Sequence, residues 1–285
     1  MPDIVNMSLG EQVPPPHVGM INYHRNLTPE LAIIRMQPGD GRAVPDFKAG
    51  QFVALGLKLD SHHNITYRPY SISSPPEEKR YFEFYIKSGS EYVMNRFTNM
   101  LFKMLEGDLV YWRNPAGAFT IEDKKSDGTP DTRRLVLVAS GTGLAPFISY
   151  VLHLKNIKSK REIVLLHGAK YAQELGYYDM LKNLSANNPN FKYLTTVSRP
   201  DPELSHGWSG NVGRVETLLV GKDGCKSQLE KVVGEEITPE NSFFHVCGYA
   251  GTINAVISIL SPLGFVSNRK KREDGSFDIK VETYI

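Results

Sequence analysis

Arg68, Pro69, Tyr70 and Ser71 place a fixed cation, a flat aromatic ring and a hydroxyl in one short extended stretch. A guanidinium can hold a phosphate, a tyrosine can stack on a planar ring, and a hydroxyl can hydrogen-bond to a ring nitrogen. Strand alternation would send Arg68 and Tyr70 one way and Ser71 the other, yet a ligand across the strand end could touch several of them. The alternative is an ordinary surface strand that turns at 73–76.

A second candidate is the turn Ser-Gly-Thr-Gly at 140–143, which contains Thr142 and Gly143. An apolar run at 135–139 precedes it, and helical apolar spacing begins at Pro146. Backbone N–H groups and the positive end of a helix dipole would meet there, which favours a phosphate or pyrophosphate. The turn reads GTGLAP and only half matches G-x-G-x-x-G, so a plain strand-to-helix turn stays open as the alternative.

Cys247 and Gly248 end a short apolar stretch, where a lone cysteine is more often a small core residue than a reactive group. The sequence gives less support to a metal site or to a known nucleophile or phosphate-binding motif. The adjacent His62 and His63 lie in a polar segment and do not suggest a metal site, and neither a G-x-S-x-G motif nor a P-loop is present.

Secondary-structure elements must position these residues, and the two halves of the chain differ in their predicted secondary structure. Residues 1–20 are Pro-rich and predict a surface extension. Short β-type runs at 31–36, 51–57, 81–87 and 109–113, with one helical stretch at 92–105, are typical of an antiparallel barrel. The polar stretch 122–134 predicts a linker.

Beyond this linker, strand and helix patterns alternate, which favours a parallel sheet covered by helices on both faces. The predicted strands are 135–139, 163–167, 192–197, 243–247 and 278–284. The predicted helices are 146–156, 174–184, 212–219, 226–233 and 252–260. We therefore predict a β-barrel followed by an α/β nucleotide domain.

The composition of the chain argues against several classes of function. A length of 285 residues allows two domains, and 41% hydrophobic with 22% charged residues is typical of a soluble globular protein. We expect no membrane span, and a net charge of +2 is too small to suggest nucleic acid. Two cysteines cannot supply a disulfide framework or a four-thiolate cluster, which fits a reducing, cytoplasmic setting. We expect a monomer and no metal site.

Six short sequences together resemble the ferredoxin (flavodoxin)–NADP+ reductase family, particularly its bacterial members, in order and approximate spacing over about residues 20–285. They are RPYS at 68–71, SGTGLAPF at 140–147, HGAKYAQEL at 167–175, VSRP at 197–200 with GR at 213–214, HVCG at 245–248 and VETY at 281–284. The resemblance implies an N-terminal extension (1–20), an FAD-binding barrel (21–125) and an NADP-binding α/β domain (133–285).

The resemblance also implies roles for residues around the flavin. Arg68 would pair with the FAD pyrophosphate, Tyr70 would stack on the isoalloxazine, and Ser71, next to Pro69, would hydrogen-bond near flavin N5. Thr142 would approach both the flavin and the nicotinamide nucleotide. The adenosine side would be lined by Tyr85, Ile86 and Lys87, and a second phosphate turn would contain Val93, Met94 and Asn95. Met94 stands where similar reductases carry Ser or Thr.

On the nucleotide side, a 2′-phosphate needs cations, whereas NAD sites usually place an acidic residue after the second strand. Lys170 follows that strand here, Arg199 follows the next one, and Arg214 opens a predicted helix. All three match basic positions of the family, so NADP is favoured, although Lys170 replaces a common Arg. Ordinary solvated side chains are the alternative for the two arginines.

The resemblance completes the nucleotide site with Gly143, Cys247 and Gly248, and places Glu282 as the carboxylate that works with Cys247. Tyr284 would cover the flavin face, although Ile285 follows it. Ser71, Cys247 and Glu282 are therefore the predicted catalytic residues.

The implied activity is electron exchange between NADPH and an acidic ferredoxin or flavodoxin, through non-covalent FAD. Three alternatives stay open. They are the reductase component of an oxygenase system, a general NAD(P)H–flavin reductase, and a non-catalytic regulatory protein that keeps the fold.

Overall fold

The computed structural model describes residues 15–59, 64–89, 96–125, 127–221 and 224–283. In its first half, six antiparallel strands form one sheet in the spatial order β4-β3-β6-β1-β2-β5. The strands are β1 (His17–Thr28), β2 (Leu31–Pro38), β3 (Phe52–Lys58), β4 (Ile65–Ser71), β5 (Phe82–Lys87) and β6 (Leu109–Trp112). The helix α1 (Arg96–Phe102) lies between β5 and β6 in the chain.

The two edge strands of this sheet approach each other. A bridge between Ile72 and Phe84 joins the end of β4 to β5, so the sheet curves into a barrel around an apolar core. Aromatic rings fill much of this core, including Phe82, Phe84 and Trp112. The predicted antiparallel barrel is confirmed.

The second half forms a six-stranded, fully parallel sheet in the order β10-β9-β8-β7-β11-β12. Its strands are β7 (Arg134–Ser140), β8 (Ile163–Ala169), β9 (Phe191–Val197), β10 (Asn211–Val212), β11 (Ser242–Gly248) and β12 (Ile279–Thr283). Its α-helices are α2 (Ala145–Asn156), α3 (Tyr178–Asn187), α4 (Gln228–Val233) and α5 (Ala250–Leu260). Short 3-10 helices lie at Gly141–Leu144, Ala172–Glu174, Val215–Leu219 and Ser261–Leu263.

Strand β7 shows why the strands of this sheet appear in the sequence as continuous apolar runs. Its side chains alternate between two separate cores. Leu135 and Leu137 pack with α2 on one face, whereas Val136 and Val138 pack with α5 on the other. Both faces are covered, so the apolar positions of the strand are all buried, as in parallel sheets generally. This confirms the predicted parallel sheet between two helical layers.

Three predicted elements need correction. The sequence did not predict β1, which begins at His17, so residues 17–20 of the predicted extension belong to a strand. The predicted helix 212–219 is instead the end of β10 and the 3-10 helix Val215–Leu219, because Gly213 has a φ of +132° that interrupts any helix. The predicted helix 174–184 begins only at Tyr178, after Tyr177 adopts a left-handed conformation with a φ of +58°.

Candidate active site

The candidate site lies at the carboxyl ends of the parallel strands, and two glycines bring its loops together. A Cβ atom on Gly143 would lie 2.2 Å from the Cys247 carbonyl oxygen and 2.9 Å from the Gly248 Cα. A Cβ on Gly248, whose φ is +146°, would lie 2.1 Å from the Ser140 Oγ. Only residues without a side chain allow the turn after β7 to touch the end of β11.

Thr142 is half-buried on this turn, which takes the form of the 3-10 helix Gly141–Leu144. The helix α2 follows directly, with Pro146 in its first turn. The Tyr249 amide donates a 3.4 Å hydrogen bond to the Ser140 Oγ, which connects the two loops. The predicted strand, turn and helix start are confirmed, and Gly143 and Gly248 lie in direct contact within them.

Cys247 and Glu282 are brought together by the register of β11 and β12, in which they are paired residues. Cys247 is fully buried. Burial also raises the pKa of Glu282 to about 7, although the Lys280 ammonium opposes the shift. The Glu282 Oε2 atom is buried and has no hydrogen-bond partner within the described residues. An unsatisfied buried carboxylate oxygen is costly unless a ligand or a proton satisfies it.

Tyr150 and His245 lie behind this pair. The sequence did not single out Tyr150, and it indicated that His245 is a structural residue of a strand. Tyr150 is fully buried and its hydroxyl donates a 2.6 Å hydrogen bond to the Phe119 carbonyl oxygen. Burial raises the pKa of Tyr150 well above its usual value, and the nearby Glu282 and Cys247 add to this rise. The apolar spacing of α2 and the apolar run of β11 indicated only that these positions are buried. Neither pattern distinguishes a site residue from an ordinary core residue.

The quartet on β4 occupies the edge of the barrel sheet. Arg68 and Pro69 are exposed, whereas Ser71 is buried at the strand end, next to the bridge that closes the barrel. Arg68 donates only to the Tyr67 carbonyl oxygen among the described residues, so its guanidinium has no carboxylate partner there.

Tyr70 is held in a defined orientation by the side chains around it. Its ring stacks on Phe97 at 6.1 Å, and its hydroxyl lies 2.8 Å from the Thr98 Oγ1. Burial raises the pKa of Tyr70 to about 12, so the phenol stays neutral. The α1 helix thus orients the ring that the sequence predicted to stack on the flavin.

The segment predicted to line the adenosine contacts the second domain through two of its side chains. The Tyr85 hydroxyl donates to the Glu174 carbonyl oxygen at 3.0 Å, and the Lys87 Nζ lies 2.6 Å from the Glu174 Oε1. The Ile86 side chain packs in the barrel core. A role of these three residues at an adenosine stays a prediction. Val93, Met94, Asn95 and Tyr284 lie outside the described residues.

Lys170, Arg199 and Arg214 are all exposed and follow the carboxyl ends of the neighbouring strands β8, β9 and β10. The backbone joins two of them, since the Arg199 amide donates to the Lys170 carbonyl oxygen at 2.9 Å. None of the three cations pairs with a carboxylate within the described part of the chain. Lys170 lies over the Tyr171 ring, with 4.6 Å from its Nζ to the ring centroid.

Two domain families together match most of the length of this chain. Residues 19–121 match the oxidoreductase FAD-binding domain, and residues 137–257 match the oxidoreductase NAD-binding domain. The chain belongs to the ferredoxin–NADP+ reductase family. The resemblance stated from six short motifs is therefore confirmed, and this family member is an oxidoreductase with an FAD-binding and a nicotinamide-nucleotide-binding domain.

Individual relatives of this reductase-family chain differ in their named activities. One component of the Na(+)-translocating NADH-quinone reductase of Pseudomonas aeruginosa is 30% identical over 203 residues, which is 69% of this chain and 46% of the relative. This chain thus spans about half the length of that relative. The flavodoxin/ferredoxin–NADP reductase of Buchnera aphidicola is 28% identical over 251 residues, which is 85% of this chain and 89% of the relative.

Among solved structures, a ferredoxin NADP+ reductase from Neisseria gonorrhoeae with bound FAD and NADP has the same fold. Its TM-score is 0.75 at 23% sequence identity, over 94% of this chain and 98% of that chain. Among the described residues, none of the helices combines the length and the apolar character that a membrane-spanning segment requires. The same residues contain no group of three or more metal-ligating side chains arranged around one point.

The geometry of this family member fits the two nucleotides of its domains. Gly143 and Gly248 let the loops after β7 and β11 meet at the carboxyl edge of the sheet, and the buried Glu282 Oε2 atom beside them has an unused acceptor position. On the barrel, Arg68 offers a guanidinium without a carboxylate partner among the described residues, beside the fixed ring of Tyr70.

Proposed function

We propose that this protein exchanges electrons between NADPH and a ferredoxin or flavodoxin, with non-covalent FAD as its cofactor. The observation that carries the proposal is the group of three cations at the ends of β8, β9 and β10. A 2′-phosphate carries a double charge that suits such a group, and the position after β8 holds Lys170 instead of an acidic residue. The similarity to the Buchnera reductase over nearly the full length of both chains supports the same proposal.

The side chains have distinct roles in this proposal. Arg68 holds the FAD pyrophosphate, Tyr70 stacks on the ring system, and Ser71 donates a hydrogen bond near its reactive edge. The bound flavin supplies the redox chemistry, since it accepts a hydride and releases electrons one at a time. Cys247 and Glu282 orient the nicotinamide, and the burial of Cys247 and of the Glu282 Oε2 atom supports a role in keeping water from the reacting atoms.

The proposed carrier is acidic because the chain is slightly basic and carries the exposed cations Arg269, Lys270 and Lys271. Arg269 donates a 2.8 Å hydrogen bond to the Thr283 Oγ1, next to Glu282 in the chain. This places positive charge near the end of β12, where complementary charge would speed the docking of an acidic protein. The cytoplasm is the proposed compartment, which suits the exposed thiol of Cys225.

A second candidate is oxidation of NADH in place of NADPH, with electrons passed to another acceptor. The 30% identity to a component of an NADH-quinone reductase favours it. Lys170 also favours it weakly, because an ammonium is a point charge and lacks the two-pronged grip of a guanidinium on a phosphate.

Anaerobic mixing of the FAD-loaded protein with NADPH or NADH, followed by flavin absorbance, separates the two candidates. We expect NADPH to bleach the flavin at much lower concentration than NADH. The double variant Arg199→Gln, Arg214→Gln should raise the NADPH concentration for half-maximal rate by about a hundredfold or more, since hydrogen bonds to charged groups contribute roughly 1.5–3 kcal/mol each. The rate with NADH should not change.

Arg25→Gln is the matched control, because Arg25 is an exposed arginine on β1 in the barrel. It should leave both reactions unchanged. Equal use of both nucleotides by the unaltered protein would contradict the 2′-phosphate assignment and support the second candidate. A protein that stays colourless after FAD is added would contradict the enzyme proposal altogether.

A further inference from the structure

The face of β12 that carries Glu282 also carries a buried lysine that the proposed function does not use. Residues two apart on a strand share a face, so Lys280 and Glu282 point the same way, about 7 Å apart along the strand. Lys280 is only 8% exposed. On the neighbouring strand, Lys280 pairs with His245 as Glu282 pairs with Cys247.

The segment between the two domains holds the ammonium of Lys280 in place. The Lys280 Nζ donates a 3.0 Å hydrogen bond to the Thr120 carbonyl oxygen and forms an ion pair with Glu122. The His245 Nε2 lies 3.2 Å from the same carbonyl oxygen. A carbonyl oxygen can only accept, so the His245 Nε2 carries the proton, and burial keeps this imidazole neutral by lowering its pKa to about 3.

The ionisable side chains near Glu282 that the described residues supply come from several elements. Cys247 and Tyr150 face it from β11 and α2, and both are neutral when protonated. Glu122, an acidic side chain near Tyr150, is paired with Lys280. The helix α5 packs on the opposite face of β12 and has no ionisable side chain. Arg269 contacts Thr283, which points to that opposite face.

We propose that Lys280 is a positioning residue that favours the ionised form of the Glu282 side chain. Burial alone disfavours the carboxylate, and the Lys280 ammonium is the charge on the same face that offsets this effect. An oxidised nicotinamide ring is cationic and a reduced one is neutral. An ionised Glu282 therefore favours the oxidised nucleotide, and Lys280 sets the pH below which this preference is lost. This second step rests on the proposed function.

The test is a titration of the FAD-loaded protein labelled with 13C at the glutamate side-chain carboxyl, followed by NMR. Glu282→Gln identifies the Glu282 signal. We expect this signal to titrate near pH 7 in the unaltered protein. In Lys280→Met its midpoint should rise by about one pH unit, so the ionised fraction at pH 7 should fall about fivefold. Lys280→Arg keeps the charge and should restore the original midpoint.

Two features make Lys280→Met suitable for this test. The Thr120 carbonyl oxygen keeps its hydrogen bond from His245, and the Glu122 side chain is 34% exposed and can be hydrated. Lys271→Met is the matched control, since Lys271 is exposed and lies over the Phe277 ring, with 5.4 Å to its centroid. It removes the same charge from the chain and should leave the Glu282 midpoint unchanged.

An equal midpoint in Lys280→Met and the unaltered protein would overturn the inference. So would equal shifts in Lys280→Met and Lys280→Arg, because packing and not charge would then control Glu282. A second measurement follows the Kd of NADP+ against pH, which should change at the Glu282 midpoint and move with it in Lys280→Met. If the NMR shift occurs without this change, the placement of Glu282 at the nicotinamide fails and the inference about Lys280 holds.

Discussion

Replacement of Gly143 by alanine should force apart the two loops that form the nucleotide edge of the sheet. The new Cβ would lie 2.2 Å from the Cys247 carbonyl oxygen and 2.5 Å from the Cys247 carbonyl carbon. Both are backbone atoms of β11, a strand paired on both sides by β7 and β12, so no flexible side chain can move away. Overpacking costs about 1–3 kcal/mol when the neighbours can adjust, and we expect the upper end, about 3 kcal/mol.

Gly251→Ala provides the matched control. Nothing lies within 4 Å of a Cβ placed on Gly251, which lies in the first turn of α5. Alanine is the better helix former, so this variant should be neutral or more stable by up to about 1 kcal/mol.

Thermal unfolding by circular dichroism, with FAD in excess, tests the pair. At about 2 °C per kcal/mol for a chain of this size, Gly143→Ala should melt about 6 °C lower. Gly251→Ala should melt at or slightly above the temperature of the unaltered protein. An unchanged melting temperature for Gly143→Ala would refute the reasoning, because the two loops would then have room to separate.

Two further predictions concern buried polar groups. The Tyr177 hydroxyl donates a 2.9 Å hydrogen bond from the start of α3 to the buried Glu83 Oε1 on β5, so Tyr177→Phe should lower the free energy of unfolding in urea by about 1–2 kcal/mol; an unchanged value would mean that this contact between the domains is not stabilising. His167 and His245 stay neutral because burial lowers each pKa to about 3, whereas an unfolded histidine takes up a proton near pH 6.5. Stability should therefore fall as pH falls from 6.5 towards 3, by up to about 1.4 kcal/mol per pH unit for each histidine, and His167→Phe should show a shallower decline in urea midpoint; a midpoint that is flat between pH 6.5 and 4.5 would contradict the burial of both rings.

The sequence predicted the parallel sheet well, for a physical reason. A strand buried on both faces needs apolar residues along most of its length, and the run predicted at 135–139 corresponds to the observed β7, Arg134–Ser140. The glycine turn after it was also predictable, because few other residues permit so close a contact between loops. The predicted placement of cations after β8 and β9 likewise follows from the order of the strands along the chain.

Strand β1 was missed because its pattern is irregular. It is paired with both β2 and β6, and its register with β2 shifts between Ile21 and Tyr23 and again between Asn26 and Thr28. Each such shift interrupts the alternation of buried and less buried side chains, so a period of two does not continue along the whole strand.

The contacts between the domains could not be predicted from the sequence either. Lys87 and Glu174 form an ion pair with 2.6 Å between their charged atoms, and Tyr85 donates to the same segment. Neither domain's internal pattern gives any sign of a partner so far away in the chain. The same limit applies to Tyr150 and Lys280, whose polar atoms bond to the segment 119–122 between the domains.

These contacts have a consequence for the site itself. The face of β11 and β12 that carries Cys247 and Glu282 is covered by α2 and by the segment 119–122, with Phe119 packed against both Tyr150 and His245. Burial of Glu282 is the main cause of its raised pKa, so its protonation depends on how closely the barrel end packs on this face. The protonation state of Glu282 is therefore coupled to the packing of the two domains. A substitution that loosens this packing should lower the pKa of Glu282, even where the substituted residue does not contact a nucleotide.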